Sequence, residues 1–370
     1  ILQIMQFIND YWKENHLLAV DKMFFEYEHR FGDSVSYVIS VDEQTNKINA
    51  ILGYIPYGKK NRDVMTVMWK ANHTASPALG LELFDFLKKN GDVRIIASPG
   101  SNPKLKGIYK YLGYSFGKMT QWYRLNADIE HYKVARIEED SPSTITKTCE
   151  YVLLEDWSAV ENNFDFDSYY KGNPKPLKEQ WYIKKRYFAH PKYTYLVYGI
   201  KNNEDKIRTM LIFRKQSVDY SMVIRLVDII GDVSVIESMA NLLDDLLKQY
   251  NAEYIDCYET GVAEDLFKQG GWVKREETSN VIPNYFSPFE MKNIEIYYFS
   301  SDEDIILFKG DGDHGHGQRQ YGIYRRPAFY RCVGSKTCRD PEYSGKTDTS
   351  EGGNPDCFKT LSGKNRAAFL

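Results

Sequence analysis

The sequence predicts an α/β protein made of two tandem units of one plan, followed by a tail of different composition. Three observations carry this. The order helix, β-hairpin, strand, helix, strand, helix, strand is legible twice, once before residue 127 and again from Cys149 onward. Each pass ends on a short helix stopped by glycine and an aromatic residue, Leu112-Gly113-Tyr114 and then Gly270-Gly271-Trp272. A chain of 370 residues, 42% of them hydrophobic, is long enough for two cores rather than one.

The first pass opens with helical stretches from Ile1 to Phe31, where Ile4, Phe7, Ile8, Tyr11 and Trp12 share one face. Ser34 to Val41 and Ile48 to Tyr54 flank the polar turn Glu43-Gln44-Thr45-Asn46 and predict a β-hairpin. Asp63 to Trp69 is a further β-rich run. Ser76-Pro77-Ala78-Leu79-Gly80 leads into an amphipathic helix, Leu81 to Leu87. Asp92 to Ala97 is the next strand, and Pro99-Gly100-Ser101 turns the chain into the run Asn102 to Tyr114. Gly113 closes that last helix because glycine tolerates a left-handed backbone.

Asn102, Tyr109 seven residues later and Leu112-Gly113-Tyr114 together resemble the cofactor-side half of the GNAT superfamily of acyl-CoA N-acyltransferases. The resemblance covers about the first third of the chain. It implies two GNAT-like domains, each a mixed, mostly antiparallel sheet flanked by helices. It also implies acetyl-CoA or another short acyl-CoA as co-substrate, with no metal. The family binds the cofactor pyrophosphate at the loop before its third main helix, where backbone N–H groups and the helix dipole favour anions. Here that loop is Ala75 to Gly80, with Ala78 in the first glycine position and no basic residue at Ala75. The implied cofactor-binding residues are Ala78, Leu79, Gly80, Leu81, Asn102 and Tyr109. Tyr109 is the implied acid for the departing thiolate. The base is open between His73, at the end of the fourth strand, and His16, in the region that usually lines the acceptor pocket. Trp122 and Tyr123, expected on the last strand of this half, are candidate substrate-binding residues.

The second pass follows the charged, Pro/Ser-rich connector Glu138 to Thr144. Its strands are Tyr151 to Leu154, Tyr193 to Ile200, Ile207 to Phe213, Val223 to Ile230 and Tyr254 to Tyr258. Its helices are Ser158 to Phe164, Leu177 to Phe188, Val235 to Tyr250 and Val262 to Gln269. Leu266 to Trp272 echoes Tyr109 to Tyr114 with one extra residue. Gly231-Asp232-Val233-Ser234 puts an acid where phosphate would bind, so this half is expected to hold no CoA. Its expected work is on the acceptor side, with Arg225, Asp228 and Asn284-Tyr285-Phe286 as candidates. The expected boundaries are 1–130, a linker 131–147, a degenerate copy 148–313 and a tail 314–370.

Phe7-Ile8, Trp12, Asn15-His16, Ile51 to Pro56 and Ile306 to Asp313 are similar to bacterial tandem acetyltransferase-like proteins found with surface-polysaccharide genes. That similarity implies a small-molecule amine acceptor, a nucleotide-linked amino sugar. Two other classes stay open: a tRNA-dependent aminoacyl transferase with two GNAT-like halves, and a non-catalytic binding or scaffold protein that kept the fold. A net charge of −3 gives no reason to expect a nucleic-acid surface. No apolar run reaches membrane-spanning length, and only Cys149 and Cys257 precede residue 310, which suits a reducing cytoplasm. The tail is polar and basic, too poor in Ile, Val and Leu to offset its ordering entropy. It is expected to be disordered or out of frame. His314, His316, Cys332, Cys338 and Cys357 lie in it but match no paired Cys-x-x-Cys zinc spacing.

Overall fold

The computed structural model describes residues 1–59, 62–72, 76, 78–139, 147–202, 206–218, 220–284, 290–313, 359–360 and 365–369, the last two stretches by backbone alone. The strands are β1 Arg30–Phe31, β2 Ser34–Val35, β3 Tyr37–Asp42, β4 Ile48–Pro56, β5 Arg62–Ala71, β6 Val93–Pro99, β7 Ser115–Lys118, β8 Thr120–Leu125, β9 Tyr151–Leu153, β10 Leu196–Lys201, β11 Ile207–Val218, β12 Ser221–Gly231, β13 Ala252–Thr260, β14 Val273–Lys274, β15 Tyr297–Ser300, β16 Leu307–Phe308, β17 Lys359–Thr360 and β18 Asn365–Phe369. The helices are α1 Leu2–Phe7, α2 Leu17–Val20, α3 Lys22–His29, α4 Leu79–Asn90, α5 Lys106–Tyr111, α6 Trp157–Asn163, α7 Phe166–Lys171, α8 Gln180–Ile183, α9 Ala240–Tyr250 and α10 Glu264–Gln269.

Two large, mostly antiparallel sheets result, each flanked by helices. The first runs β17-β18-β3-β4-β5-β6-β15-β7 and the second β14-β8-β13-β12-β11-β10-β9. Each holds one parallel pair, β5 with β6 and β12 with β13. The two sheets exchange a strand. β8 leaves the first half and lies between β13 and β14, while β15 leaves the second half and lies between β6 and β7. The sequence places Trp122 and Tyr123 on the last strand of the first half, but that strand completes the other sheet. Hydrophobic patterning marks a strand without naming its partner, so the exchange is invisible in the sequence.

Helix α4 lays Leu79, Leu83, Phe84 and Leu87 over Val38, Leu52, Val64 and Ile96 of the first sheet. Helix α9 does the same in the second half with Leu242, Leu243, Leu246 and Leu247, and each leucine so buried contributes about 2 kcal/mol. Asn251 closes α9 at φ 46°, a left-handed conformation that asparagine tolerates better than most residues. On its other face the first sheet rests partly on α1 to α3 and partly on the second half. There Ile55, Tyr57, Met65, Ile95 and Ala97 meet Tyr182, Tyr258, Ile305 and Leu307.

One expectation changes. Ile8–Trp12 winds as a π-helix, whose wider turn rotates Tyr11 and Trp12 off the buried face that keeps Ile4, Phe7 and Ile8. The tail contributes β18, paired along β3 from Asn365↔Asp42 to Phe369↔Val38. Backbone pairing along an open edge needs little hydrophobicity. Residues 314–358, with all five tail Cys and His residues, lie outside the described part.

Candidate active site

The parallel pair of the first sheet comes apart. β5 and β6 are in register from Arg62↔Val93 to Met65↔Ala97, and no ladder pairing follows. At the point of parting, the Ser98 hydroxyl donates to the Thr66 carbonyl at 2.7 Å, so a side chain replaces the next ladder bond. On its other edge β6 pairs with β15, with Phe299 opposite Ser98. The helix-covered face over this split is aromatic. Trp69 packs on Phe84 at 4.7 Å and lies 6.3 Å from Tyr109, and Tyr109 stacks on Phe299 at 4.1 Å and 15°.

Tyr109 is buried on α5, and its phenol is pushed up to about 12 by burial, with a hydrogen bond to Ser101 acting the other way. It therefore carries its proton through neutral pH. Gly113 at φ 76° lets the Tyr114 N–H turn back to the Tyr109 carbonyl at 2.9 Å, which fixes the end of α5.

The remaining expected residues are dispersed. Asn102 caps the turn before α5, its side chain accepting from the Lys104 N–H at 3.0 Å. His16 caps α2, its Nδ1 accepting from the Leu18 N–H at 3.2 Å. His73 lies outside the described residues, as do Ala75, Tyr285 and Phe286. Ala78 is exposed at the start of α4, where no side chain caps it, and its N–H donates to the Ser76 hydroxyl at 3.3 Å. Leu79 and Gly80 are buried and Leu81 half-buried. A Cβ on Gly80 would stand 2.8 Å from the Trp69 indole nitrogen, which donates to the Gly80 carbonyl at 3.1 Å. Trp69 by itself thus accounts for the glycine at this position.

Trp122 and Tyr123 are fully buried in the second half. Trp122 stacks on Phe267 at 4.6 Å and 3° and donates to Glu259 at 2.9 Å. Arg225 grips Asp256 through two bonds of 2.8 and 2.6 Å and points to Asn284 at 3.4 Å. Asp228 accepts from Lys178 at 2.6 Å and from the Tyr187 hydroxyl.

The parallel pair of the second sheet parts in the same way, and there the gap takes a strand. β12 and β13 part after Leu226↔Cys257, and the chain's own β16 pairs with Glu259 and Thr260 to fill the gap. The turn Lys309–Gly312 continues the insertion. A Cβ on Gly310 would fall 2.4 Å from the Val227 carbonyl and one on Gly312 2.6 Å from the Pro99 carbonyl, so this turn lies against both parted strand pairs. Lys178 anchors it from below, 2.6 Å from Asp228 and 2.7 Å from Asp311, and Tyr57 of the first half donates to Asp311 at 2.8 Å. Burial, opposed by the Lys178 ammonium and assisted by the Asp311 carboxylate, pushes Asp228 up to about 6. Asp232 accepts from the Ser234 N–H at 2.9 Å and so caps the short helical turn that follows.

The two final helices correspond residue for residue, with no insertion. Tyr114 N–H bonds the Tyr109 carbonyl at 2.9 Å and Trp272 N–H the Phe267 carbonyl at 3.0 Å. Phe267 therefore stands in the second half where Tyr109 stands in the first, without the hydroxyl. Thr66, Ser98, Trp69, Phe299 and Lys178 were not legible as site residues, because each acquires its place through a contact distant in sequence. Gly310-Asp311-Gly312-Asp313 was visible as a motif, and its two glycines were the available signal of close packing.

No family model matches this sequence, and no curated protein matches it. Among solved structures it is similar to a probable N-acyltransferase from Enterococcus faecalis, described as a conserved protein of unknown function. That match has 9% identity and a TM-score of 0.48, over 80% of this chain and 69% of that one. A GCN5-related N-acetyltransferase from Anabaena variabilis matches with 12% identity and a TM-score of 0.49 over the same shares. N-myristoyltransferase from Saccharomyces cerevisiae with bound myristoyl-CoA matches with 11% identity and a TM-score of 0.39, over 80% and 74%. No helix among the described residues is long and apolar enough to cross a membrane, and no group of three His, Cys, Asp or Glu residues there could hold a metal ion.

Proposed function

We propose that the chain is an acyl-CoA-dependent N-acyltransferase whose transfer site is the split between β5 and β6. The observation that carries this is the contrast between the two sheets. The second split is filled by the chain's own β16 and lacks a hydroxyl at Phe267, whereas among the described residues no strand is inserted in the first, which keeps Tyr109 above it. The residues fit the thioester end of the co-substrate better than its diphosphate end, where Gly80 is matched to Trp69 and the Ser76 hydroxyl already holds the Ala78 N–H.

Bound acyl-CoA would supply a thioester open to attack by an amine, the C–N bond forming as the C–S bond breaks. Tyr109 holds at its hydroxyl the proton a departing sulfur needs, and burial keeps it there. Ser98 and Thr66 fix the point where β5 and β6 part. The aromatic wall of Trp69, Phe84 and Phe299 limits water on that side. Helix α4, which begins at Leu79, would lie nearest the diphosphate end, and the base stays open between His73 and His16. The acceptor we favour is an amino sugar, nucleotide-linked, in a soluble cytoplasmic setting.

A second reading is a binding protein of the same fold, favoured by the Trp69 indole against Gly80. Calorimetric titration of the full chain with acetyl-CoA, followed by thiol release in a panel of primary amines that includes glucosamine, separates the two. Binding with amine-dependent release is the expected result. Binding without release in any amine favours the second reading, and no binding overturns the first.

A further inference from the structure

The candidate acid belongs to the first half, but the ring it stacks on belongs to the second. Phe299 arrives on β15, 1% exposed, inside the core of the first half. It lies 4.1 Å from Tyr109 at 15° and 5.8 Å from Tyr114 at 9°, and its far edge meets Phe84 at 6.0 Å. β15 is held from both sides. It pairs with β6 from Tyr298↔Pro99 to Ser300↔Ala97, and with β7 from Tyr297↔Lys118 to Ser300↔Ser115. The first half is shaped to receive it. A Cβ on Gly117 would stand 2.8 Å from the Tyr298 ring, and Gly100 and Ser101 both donate their N–H groups to the Tyr297 carbonyl at 2.8 Å. That last contact sets the loop carrying Ser101, whose hydroxyl donates to the Ser98 carbonyl at 2.8 Å.

The reciprocal strand makes the same arrangement. Trp122 on β8 stacks on Phe267 of α10 as Phe299 on β15 stacks on Tyr109 of α5. An exchanged ring over the final helix is thus a feature of both halves, and only in the first does it lie on a group with a proton to give.

We propose that Phe299 is a positioning residue for Tyr109, so that the transfer site is assembled from both halves of the chain and is incomplete in the first half alone. The proposal rests on the reading of Tyr109 as the acid. β15, paired on both edges, fixes the plane of the Phe299 ring on which the phenol lies. Leucine at 299 would keep an apolar side chain in the core and remove the flat surface, leaving the phenol free to tilt.

The test uses the full chain with four variants: Phe299→Leu, Tyr109→Phe, the double variant, and Phe213→Leu as a buried-ring truncation in the other core. Two readouts are taken. The first is nitration of Tyr109 by tetranitromethane, followed by mass spectrometry. The second is release of free thiol from acetyl-CoA, with water or the best amine of the panel as acceptor. Nitration of Tyr109 is expected to rise severalfold in Phe299→Leu and to stay low in Phe213→Leu at equal distance below each melting temperature. Turnover in Phe299→Leu is expected to fall about tenfold with KM for acetyl-CoA little changed, and the double variant to be no slower than Tyr109→Phe alone. Equal nitration in Phe299→Leu and Phe213→Leu overturns the proposal, and so does a double variant whose losses multiply. If nitration responds but Tyr109→Phe turns over normally, the stacking stands and the acid assignment fails. Should Phe299→Leu not fold, Phe299→Met is read in the same way.

Discussion

Tyr109 and Phe267 show how much one oxygen atom separates the two halves. They occupy one position in two copies of a helix, under one kind of stacked ring, and only Tyr109 can donate a proton. Replacing Tyr109 with Phe should lower kcat roughly tenfold to a hundredfold, leave acetyl-CoA affinity nearly unchanged and alter the melting curve little. Steady-state kinetics beside a melting curve checks this; lost stability without a specific loss of turnover would make the residue structural. Glu259 gives a second test at this scale. Burial pushes its carboxyl up to about 7, although the Trp122 indole and the Val262 N–H, both bonded to it, pull the other way. A folded value above the ordinary 4.5 means its contribution to stability is complete below that pH and is lost as pH rises through about 7. The loss amounts to at most about 3 kcal/mol. Melting temperatures across pH 5 to 8 should therefore fall less steeply in Glu259→Gln than in the parent, and parallel profiles would remove Glu259 from the account.

Single elements were more legible in the sequence than their company. The β3–β4 hairpin, β5, α4, β6 and the glycine-stopped α5 stand where hydrophobic period and turn residues put them, as do β10 to β13 and α9. β15 and β16 were not seen, because four- and two-residue strands carry too little pattern. Their roles depend on neighbours more than a hundred residues away for β15 and about fifty for β16. The same reason hid the turn Lys309–Gly312 as a plug. Its anchoring lysine can be tested. Lys178→Met would leave Asp228 and Asp311 facing each other in a buried space without their cation, at a cost of about 3–5 kcal/mol. Urea unfolding measures this. Adding Asp228→Asn and Asp311→Asn to Lys178→Met should recover part of the loss, since the uncompensated charge is then gone. No recovery would mean that the fit of Lys178, rather than its charge, holds the turn.

At the scale of the molecule, the halves are not beads on a string. Each sheet is closed by a strand from the other, the shared layer between them holds Tyr57, Tyr182 and Tyr258, and the charged cluster around Lys178 spans both. Neither half can lose its structure without stripping a strand from its partner. Differential scanning calorimetry should show one cooperative transition whose calorimetric and van't Hoff enthalpies agree. Two separated transitions would mean that the exchanged strands contribute little to either half. The sequence showed the duplication, because repeated order survives in patterning, and could not show the exchange, because patterning is blind to which edge a strand joins.

The exchange also imposes a schedule on synthesis. As the chain leaves the ribosome, β6 and β7 emerge long before β15, which follows Lys118 by about 180 residues. At about 5–20 residues per second, the gap between them stays open for about ten to forty seconds. Through that interval the nascent first half carries two unpaired strand edges and an uncovered Tyr109, a waiting surface that a chaperone must shield or a neighbouring chain on the same polysome can fill by lending its own β15.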